Sequence, residues 1–274
     1  MYYQGEPGAF SEAAMRHYFP KADPRGLSSF AEVYGRLRAD RKAAALLPIE
    51  NAYRGPVVEV WDRLLEDLSL SIWGEVVEPV PLALMAPLGE SLESITRVRS
   101  HPQALMQSRG YWEPRGYRAE PSLDTAGSAR EVAENRWPGV AAIAHPAAAA
   151  RYGLHILAEP LQDYPDNRTR FWLISQTEPS VDAPARLAAK AALALDIAHE
   201  PGSLVETLMI FSRRRINLTK IESRPRPGVP FEFRFWIEVS IGQTGSDEWD
   251  EVFDELQDRG LYHRLLGHFP VYSL

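Results

Sequence analysis

The sequence contains no cysteine, so disulfide bonds, thiolate metal sites and cysteine nucleophiles are excluded. Histidine is scarce, and its seven scattered copies show no spacing typical of metal ligands. The sequence also lacks a Gly-Lys-Ser/Thr phosphate loop, a His-Glu-x-x-His motif and a Gly-x-Ser-x-Gly elbow. We therefore expect a protein that needs neither a metal nor a cofactor.

Long apolar runs are absent as well. No run approaches the roughly 18 residues of a membrane span, and residues 1–10 lack the basic flank and apolar core of a secretory signal. We therefore expect a cytoplasmic protein with no membrane partner. The formal net charge of -7 argues against a nucleic-acid partner, because a phosphate backbone requires a basic face. If the ligand is an anion, its site must be locally positive.

The composition that remains is that of an ordinary globular protein. With 274 residues, 45% hydrophobic and 24% charged, the chain is long enough for one large domain or two ordinary domains. Strand-like and helical segments alternate from residue 1 to about residue 175, which predicts an α/β fold with a mainly parallel sheet. The polar segment 176–190 contains two prolines and is interpreted as a linker.

The pattern changes after the linker. It predicts a β-α-β-β-α-β order, which is the ferredoxin-like unit, although a fold alone does not define a function. The predicted elements are a strand at 191–199, a helix at 201–216, strands at 217–225 and 231–241, a helix at 246–260 and a final strand within 261–274.

Two segments resemble the openings of helices that bind anions. "QGEPGAFSEAA" (4–14) places Ser11 near a helix start, and "SLDTAGSA" (122–129) does the same with Thr125. Either segment could be no more than a well-capped turn. Alternatively, free backbone N–H groups and the helix dipole could receive a carboxylate there.

Two further segments place polar side chains at the ends of predicted elements. "LPIENAYRGPV" (47–57) ends a strand with Glu50 and Asn51, which are candidates for hydrogen bonds to a substrate or for a simple turn and cap. "SHPQALMQ" (100–107) opens a helix on which Ser100 and Gln107 could approach one ligand. His101 is interpreted as a helix cap or surface residue.

The segment "DNRTRF" (166–171) precedes the apolar run "FWLIS". Asp-Asn favours a turn and the apolar run favours a strand, so Thr169 should lie where a loop enters a strand. Such positions often hold ligands.

In their order along the chain, at 4–14, 47–57, 100–107, 122–129 and 166–171, these five motifs resemble prephenate dehydratase with a C-terminal ACT regulatory domain. The ferredoxin-like part adds "PGSL" (201–204) and "NLTKIESRP" (217–225), so the resemblance covers essentially the whole chain. It implies an α/β catalytic domain like a type 2 periplasmic binding protein, in the monofunctional form. The expected domains are a catalytic domain at 1–180, with subdomains at about 1–78 plus 162–180 and at 79–161, and an ACT domain at 190–274.

The resemblance also implies the chemistry. The family converts prephenate to phenylpyruvate by losing carbon dioxide and the ring hydroxyl together, and the hydroxyl needs a proton or a hydrogen bond as it leaves. The family assigns this catalytic role to the threonine of its Thr-Arg-Phe motif, which is Thr169 here. A free alcohol is a weak acid, so we expect Thr169 to act as a positioned donor within a network. The expected substrate-binding residues are Asn51, Ser100, Gln107, Arg170, Thr125 and Ser11.

Arg170 is expected to hold the substrate carboxylate that is retained, because its planar guanidinium fits a carboxylate. In a regular strand, however, Arg168 and Arg170 would share one face and Thr169 would lie on the other. We therefore expect an irregular backbone at Thr169, so that hydroxyl and guanidinium reach one ligand.

The resemblance further implies regulation by phenylalanine and assembly into a homodimer or homotetramer, with the effector held between subunits. The expected effector residues are Gly202, Ser203, Leu204, Glu222, Ser223, Arg224 and Pro225.

Two alternatives stay open. The first is the same reaction on arogenate, in which an amine replaces the keto oxygen of prephenate. The second is a non-catalytic amino-acid sensor, which would have no need of a donor to a leaving group.

Ala9 stands where the family usually has threonine, so contacts from the first loop should come mainly from its backbone.

Overall fold

The structure is a computed structural model that describes residues 1–182, 186–226, 228–241 and 246–272. Its first part alternates short strands with helices. These elements are β1 (Tyr2–Gln4), α1 (Phe10–Tyr18), β2 (Arg25–Leu27), α2 (Phe30–Ala39), β3 (Ala44–Asn51), β4 (Gly55–Pro56), α3 (Val58–Glu66) and β5 (Ser71–Pro79).

A second part follows, and the chain then returns to the first. The elements are β6 (Ala83–Ala86), β7 (Arg97–Ser100), α4 (Pro102–Gln107), α5 (Arg109–Trp112), β8 (Arg118–Pro121), α6 (Thr125–Asn135), β9 (Val140–Ala144), α7 (Pro146–Tyr152), β10 (His155–Ala158) and the returning strand β11 (Arg168–Ser175).

The two parts form separate sheets. In the first sheet, β1 pairs in parallel with β2 and β3, whereas β11 lies between β3 and β5 and is antiparallel to both. In the second sheet the order is β10-β6-β9-β7-β8, with parallel pairs only on the two sides of β7. The two-sheet α/β architecture is confirmed, but the prediction of a mainly parallel sheet is wrong because both sheets are mixed.

The C-terminal part has the predicted β-α-β-β-α-β order. Its strands are antiparallel in the order β13-β14-β12-β15, which is the ferredoxin-like arrangement. β12 begins inside the segment that was interpreted as a linker, so that segment is shorter than predicted. The elements are β12 (Arg186–Asp196), α8 (Ser203–Arg213), β13 (Asn217–Pro225), β14 (Phe233–Ser240), α9 (Ser246–Asp258) and β15 (Tyr262–Tyr272).

The C-terminal strands continue the first sheet. β15 pairs in parallel with β5 through Val271 and Glu75, which produces one sheet of ten strands. Glycine is needed at this junction, because a Cβ on Gly267 would collide with the carbonyl of Ile72. The first sheet and the C-terminal sheet are therefore one continuous structure.

The hydrophobic core crosses the same junction. Trp61 of α3, Trp172 of β11 and Trp236 of β14 are fully buried and stack on one another, with ring centroids 4.8 to 6.0 Å apart. They belong to one apolar cluster that includes side chains of β3 and α2 as well as β12 and β15. Within the described ranges, no helix is both long and apolar enough to cross a membrane.

Candidate active site

A cavity of about 330 Å³ lies between the first and second sheets. Ligand pockets commonly measure about 300 to 1,000 Å³, so this cavity could hold a small molecule. Five of the predicted site residues contribute to its wall: Ser11, Asn51, Gln107, Thr125 and Thr169. The other lining residues are Gln4, Gly5, Ala9, Phe10, Pro48, Val57, Val80, Leu82, His101, Gln103, Ala104, Leu123, Asp124 and Phe171.

Thr169 and Asn51 face each other on neighbouring strands of the first sheet. They are directly paired across β11 and β3, and Asn51 Nδ2 donates a hydrogen bond of 3.1 Å to Thr169 Oγ1. Asn51 is itself fixed, because Nδ2 lies 2.8 Å from Asn167 Oδ1 and 3.1 Å from the Arg168 carbonyl oxygen. Since Thr169 Oγ1 accepts from Asn51, its own O–H remains available to donate into the cavity.

The N-terminus of α1 faces the cavity with free backbone donors. Ala9 occupies the N-cap position and its side chain makes no capping hydrogen bond, while Glu12 Oε2 accepts a hydrogen bond of 2.6 Å from Gly8 N just before the helix. Ala9, Phe10 and Ser11 all line the cavity. The first-turn N–H groups and the positive end of the helix dipole are therefore placed to receive an anion.

The turn before α1 packs directly against the second sheet's helix α7. Gly8 has a φ of +89°, and a Cβ there would lie 3.0 Å from Ala148 Cα. The Tyr152 hydroxyl also donates a hydrogen bond of 2.7 Å to the Pro7 carbonyl oxygen. Gly8 thus serves both the turn geometry and the close approach of the two walls.

The opposite wall carries Gln107 and His101. Gln107 is 7% exposed, and its Nε2 finds no hydrogen-bond partner among the residues that the structure describes. His101 caps α4, because its Nδ1 accepts a hydrogen bond of 3.2 Å from Gln103 N. Burial lowers the pKa of His101, so the neutral ring presents Nε2–H as a donor. Sequence reasoning identified the cap but missed that His101 and Gln103 also line the cavity.

The cavity wall carries no lysine or arginine within the described ranges. Its acidic side chain, Asp124, caps α6 by accepting a hydrogen bond of 2.5 Å from Gly127 N. The local positive potential that an anion requires therefore has to come from backbone dipoles and neutral donors rather than from cationic side chains.

Ser100 does not reach the cavity. Its side chain is fully buried, and Oγ donates a hydrogen bond of 2.5 Å to the Ile143 carbonyl oxygen. This bond ties the end of β7 to β9. Ser100 therefore makes a structural contact, and its contact with substrate stays a prediction.

Arg170 lies on the face of β11 opposite Thr169. The strand is regular from Arg168 to Arg170, and the register shift against β3 comes only after Arg170. The expected irregular backbone at Thr169 is absent from this described strand, so alternation places the hydroxyl and guanidinium on opposite faces. The guanidinium pairs there with Glu50 and Glu75 at 2.6 and 2.5 Å, and the expectation that it holds a substrate carboxylate stays a prediction.

The predicted effector residues occupy two neighbouring places in the C-terminal part. Gly202 has a φ of +91° and precedes α8, while Ser203 begins that helix. Leu204 lines a small cavity of about 140 Å³ together with Phe233 and Phe235 of β14. Glu222, Ser223, Arg224 and Pro225 lie on β13, beside β14 but outside that cavity, and Arg224 pairs with Asp62 of α3 at 2.6 Å.

His145 should make the folded protein sensitive to acid. Its Nδ1 accepts a hydrogen bond of 3.1 Å from Ala147 N, its ring meets the edge of Phe10, and burial lowers its pKa from 6.5 to about 4. Below the unfolded value the unfolded chain binds a proton that the folded chain does not, so stability falls as the pH drops. From about pH 7.5 to about pH 5 we expect this group to remove about 2 kcal/mol of unfolding free energy.

His145→Asn is the matched control, because asparagine retains a capping acceptor but cannot be protonated. Denaturant unfolding at both pH values should show a smaller loss in the variant than in the parent, by about 2 kcal/mol. Equal losses in the two proteins would show that His145 is protonated in the folded state as easily as in the unfolded state.

Comparison with known proteins identifies relatives over the whole chain. A sequence profile of the prephenate dehydratase family matches residues 1–179. Arogenate dehydratase/prephenate dehydratase 2 of Arabidopsis thaliana is 34% identical over 98% of this chain and 72% of its own length. Prephenate dehydratase of Lactococcus lactis is 32% identical over 99% of this chain and 98% of its own length.

Solved structures show the same architecture. A prephenate dehydratase from Arthrobacter aurescens in complex with L-Phe has a TM-score of 0.85 and 30% identity, covering 98% of this chain and 89% of its own. GqqA, described as a novel type of quorum quenching acylase, has a TM-score of 0.88 and 28% identity, covering 99% and 98%. These likenesses confirm the predicted fold class, an α/β catalytic domain like a type 2 periplasmic binding protein followed by an ACT-type domain.

Proposed function

The chain belongs to the prephenate dehydratase family, whose members are decarboxylating lyases, and we propose that it converts prephenate to phenylpyruvate. The single observation that carries the proposal is the Thr169 hydroxyl on the cavity wall, with Asn51 donating to its oxygen. A binding protein without catalytic activity would have no need of such a donor.

Thr169 would assist departure of the ring hydroxyl. As the carbon–oxygen bond breaks, negative charge develops on the leaving oxygen, and a hydrogen bond from Thr169 stabilises it. Asn51 strengthens that donor, because accepting one hydrogen bond polarises the O–H for the next. The electron pair of the carbon–carbon bond to the second carboxylate moves into the ring, which becomes aromatic as carbon dioxide is released and the carbon–oxygen bond breaks. The oxygen leaves as hydroxide, held by the hydrogen bond from Thr169, and becomes water by taking a proton from solvent.

The retained carboxylate would bind at the N-terminus of α1. Ser11 and the uncapped N–H groups of the first turn provide donors there, and the buried Gln107 Nε2 provides another from the opposite wall. The departing carboxylate loses its charge in the transition state, so strong charge stabilisation of it would slow the reaction. The described part of the cavity wall carries no cationic side chain, which is consistent with weak charge stabilisation of the departing carboxylate.

Arogenate is the second candidate substrate, since relatives with this fold carry both names. Its ammonium group, which replaces the keto oxygen of prephenate, would need a hydrogen-bond acceptor on the protein. Within the described ranges the acidic side chain on the cavity wall is Asp124, which already caps α6. This observation favours prephenate.

The proposal extends to organisation and control. We propose a catalytic domain at 1–180, with subdomains at about 1–78 plus 162–180 and at 79–161, and an ACT domain at 190–274. The separate first and second sheets support the two subdomains, while β12 already begins at Arg186, before the proposed start of the ACT domain. We propose phenylalanine as the effector, with homodimers or homotetramers holding it between subunits in the cytoplasm. L-Phe in the Arthrobacter aurescens protein and the cavity at Leu204 support this.

Purified protein should release phenylpyruvate from prephenate without added metal or nucleotide. We expect kcat/KM for prephenate to exceed that for arogenate by about tenfold or more. The absorbance of phenylpyruvate measures the turnover of prephenate. Chromatography of the phenylalanine formed measures the turnover of arogenate. The prephenate assay is repeated with phenylalanine added, which should lower the rate of phenylpyruvate release if the proposed regulation is correct.

An N-acylated amine serves as the control substrate, because one structural neighbour is described as an acylase. Hydrolysis of that compound without turnover of prephenate or arogenate would contradict the proposed function.

A further inference from the structure

Arg170 is the centre of a group of six charged side chains that we call the ionic cluster: Arg170, Glu50, Glu75, Glu238, Lys190 and Lys220. Arg170 Nη1 lies 2.6 Å from Glu50 Oε2, and Nη2 lies 2.5 Å from Glu75 Oε2. The same Nη2 also pairs with Glu238. Both Nη atoms of the guanidinium are therefore engaged by carboxylates of the protein itself.

The cluster joins the catalytic strands to the C-terminal strands. Glu50, Glu75 and Arg170 belong to β3, β5 and β11, and their counterparts Lys220, Lys190 and Glu238 belong to β13, β12 and β14. Lys190 Nζ lies 2.6 Å from Glu75 Oε1, and Lys220 pairs with Glu50. Every one of the three catalytic-strand members thus has a partner from the C-terminal part.

The cluster is largely shielded from solvent. The side chains of Glu75 and Glu238 are 1% and 0% exposed, and that of Arg170 is 19% exposed. Burial pushes the pKa of Glu75 upward, but Arg170 and Lys190 outweigh burial and hold it below its usual value. Charges in such surroundings interact strongly, and loss of one partner leaves another buried charge without compensation.

The cluster lies directly behind the proposed catalytic pair. Thr169 pairs with Asn51 across the two strands, and the next pair along the same ladder is Arg170 with Glu50. Because side chains alternate along a strand, one pair faces the cavity and the adjacent pair faces the cluster. A shift of Arg170 or Glu50 therefore moves the backbone that carries Thr169 and Asn51.

We infer that Arg170 is a positioning residue: the ionic cluster fixes the Thr169–Asn51 pair in its reactive geometry and makes that geometry depend on strands of the C-terminal part. The inference rests on the proposed function of Thr169. A misplacement of about 1 Å at a reacting group can cost about 100-fold in rate. A cluster that only positions should therefore change kcat, whereas a substrate anchor should change KM.

The test compares Lys220→Met, Arg170→Lys and Arg170→Met with the control Arg214→Met. Lys220 Nζ lies 5.0 Å from the centre of the Trp61 ring. Methionine at this position retains the packing on Trp61 and removes the cation that pairs with Glu50. Arg214 pairs with Glu255 at 2.7 Å within the C-terminal part, and at 21% its side chain is about as exposed as that of Arg170. Thermal unfolding first establishes that each variant is folded at the assay temperature.

We expect kcat to fall about tenfold in Lys220→Met and about 100-fold in Arg170→Met, with KM within about twofold. Arg170→Lys should recover part of the loss because it retains the charge, and Arg214→Met should retain full activity. Hydrogen exchange at 49–53 and 167–171 should be faster in the cluster variants than in the control. A folded Lys220→Met protein with unchanged kcat, or with unchanged exchange, would overturn the inference, as would a rise in KM alone for Arg170→Met.

Hydrogen exchange separates failure of the inference from failure of the proposed function. If the parent protein turns over neither prephenate nor arogenate, the proposed function is wrong. Exchange at the same two segments then decides the inference without any substrate. Faster exchange in the cluster variants alone supports a positioning cluster, and equal exchange in cluster and control variants overturns it.

Discussion

Thr169→Val is expected to lower kcat by about 100- to 1,000-fold while KM changes little. Valine has the branched shape of threonine and suits a strand, so the change removes the hydroxyl and little else. Asn51 Nδ2 retains its bonds to Asn167 Oδ1 and to the Arg168 carbonyl oxygen, so the neighbouring amide stays in place. Steady-state kinetics on prephenate measure the effect.

Thr169→Ser and Thr177→Val are the two controls for this result. Serine restores a hydroxyl on the cavity wall, so its kcat should lie much closer to that of the parent protein. Thr177 lies outside the cavity, where its Oγ1 donates a hydrogen bond of 3.0 Å to the Arg41 carbonyl oxygen. Parent-like turnover in Thr169→Val would refute the role of this hydroxyl, and an equal loss in Thr177→Val would indicate a general effect on folding.

Trp236→Ala should lower the unfolding free energy of the whole protein by about 3–5 kcal/mol. Trp236 is fully buried in β14, and its ring stacks at 4.8 Å on Trp61 and at 5.5 Å on Trp172, which belong to the catalytic part. Truncation leaves a cavity bounded by both parts. We therefore expect one cooperative transition whose Tm is lower by roughly 10 °C.

Trp137→Ala is the matched control, because Trp137 is only half-buried and contacts Arg99 at 5.6 Å near the edge of the second sheet. It should lose far less stability. Calorimetry together with residual activity on heating distinguishes the outcomes. If Trp236→Ala melts the C-terminal part alone while activity persists, the two parts do not share one core in solution.

The sequence predicted the elements of the C-terminal part well, because their signals are local. The alternation in 217–225 corresponds to β13, and the amphipathic pattern of 201–216 corresponds to α8 at Ser203–Arg213. The beginning of β12 was missed because Ala and Pro in 176–190 favour no strand by themselves. That strand is stabilised by its pairing with β14 and β15, which are distant in sequence.

For the site, the sequence located the right segments but could not assign every side chain to a face. Asn51, Gln107 and Thr169 line the cavity as expected, since motif position was sufficient for them. The hydrogen bond of Ser100 could not be predicted, because its partner, the Ile143 carbonyl oxygen, lies 43 residues away in sequence. The ion pairs of Arg170 could not be predicted, because its carboxylate partners come from three distant strands, which no local pattern reveals.

The pairing of β15 with β5 makes the association of the two parts less dependent on the peptide that connects β11 to β12. Trp236, the ionic cluster and the Val271–Glu75 pairing hold the two parts together independently of that peptide connection. A protease cut within the connection should therefore leave a nicked but intact particle, in effect a heterodimer of two fragments. Either fragment produced alone would present an unpaired strand edge and an exposed indole surface, and it would be prone to aggregation.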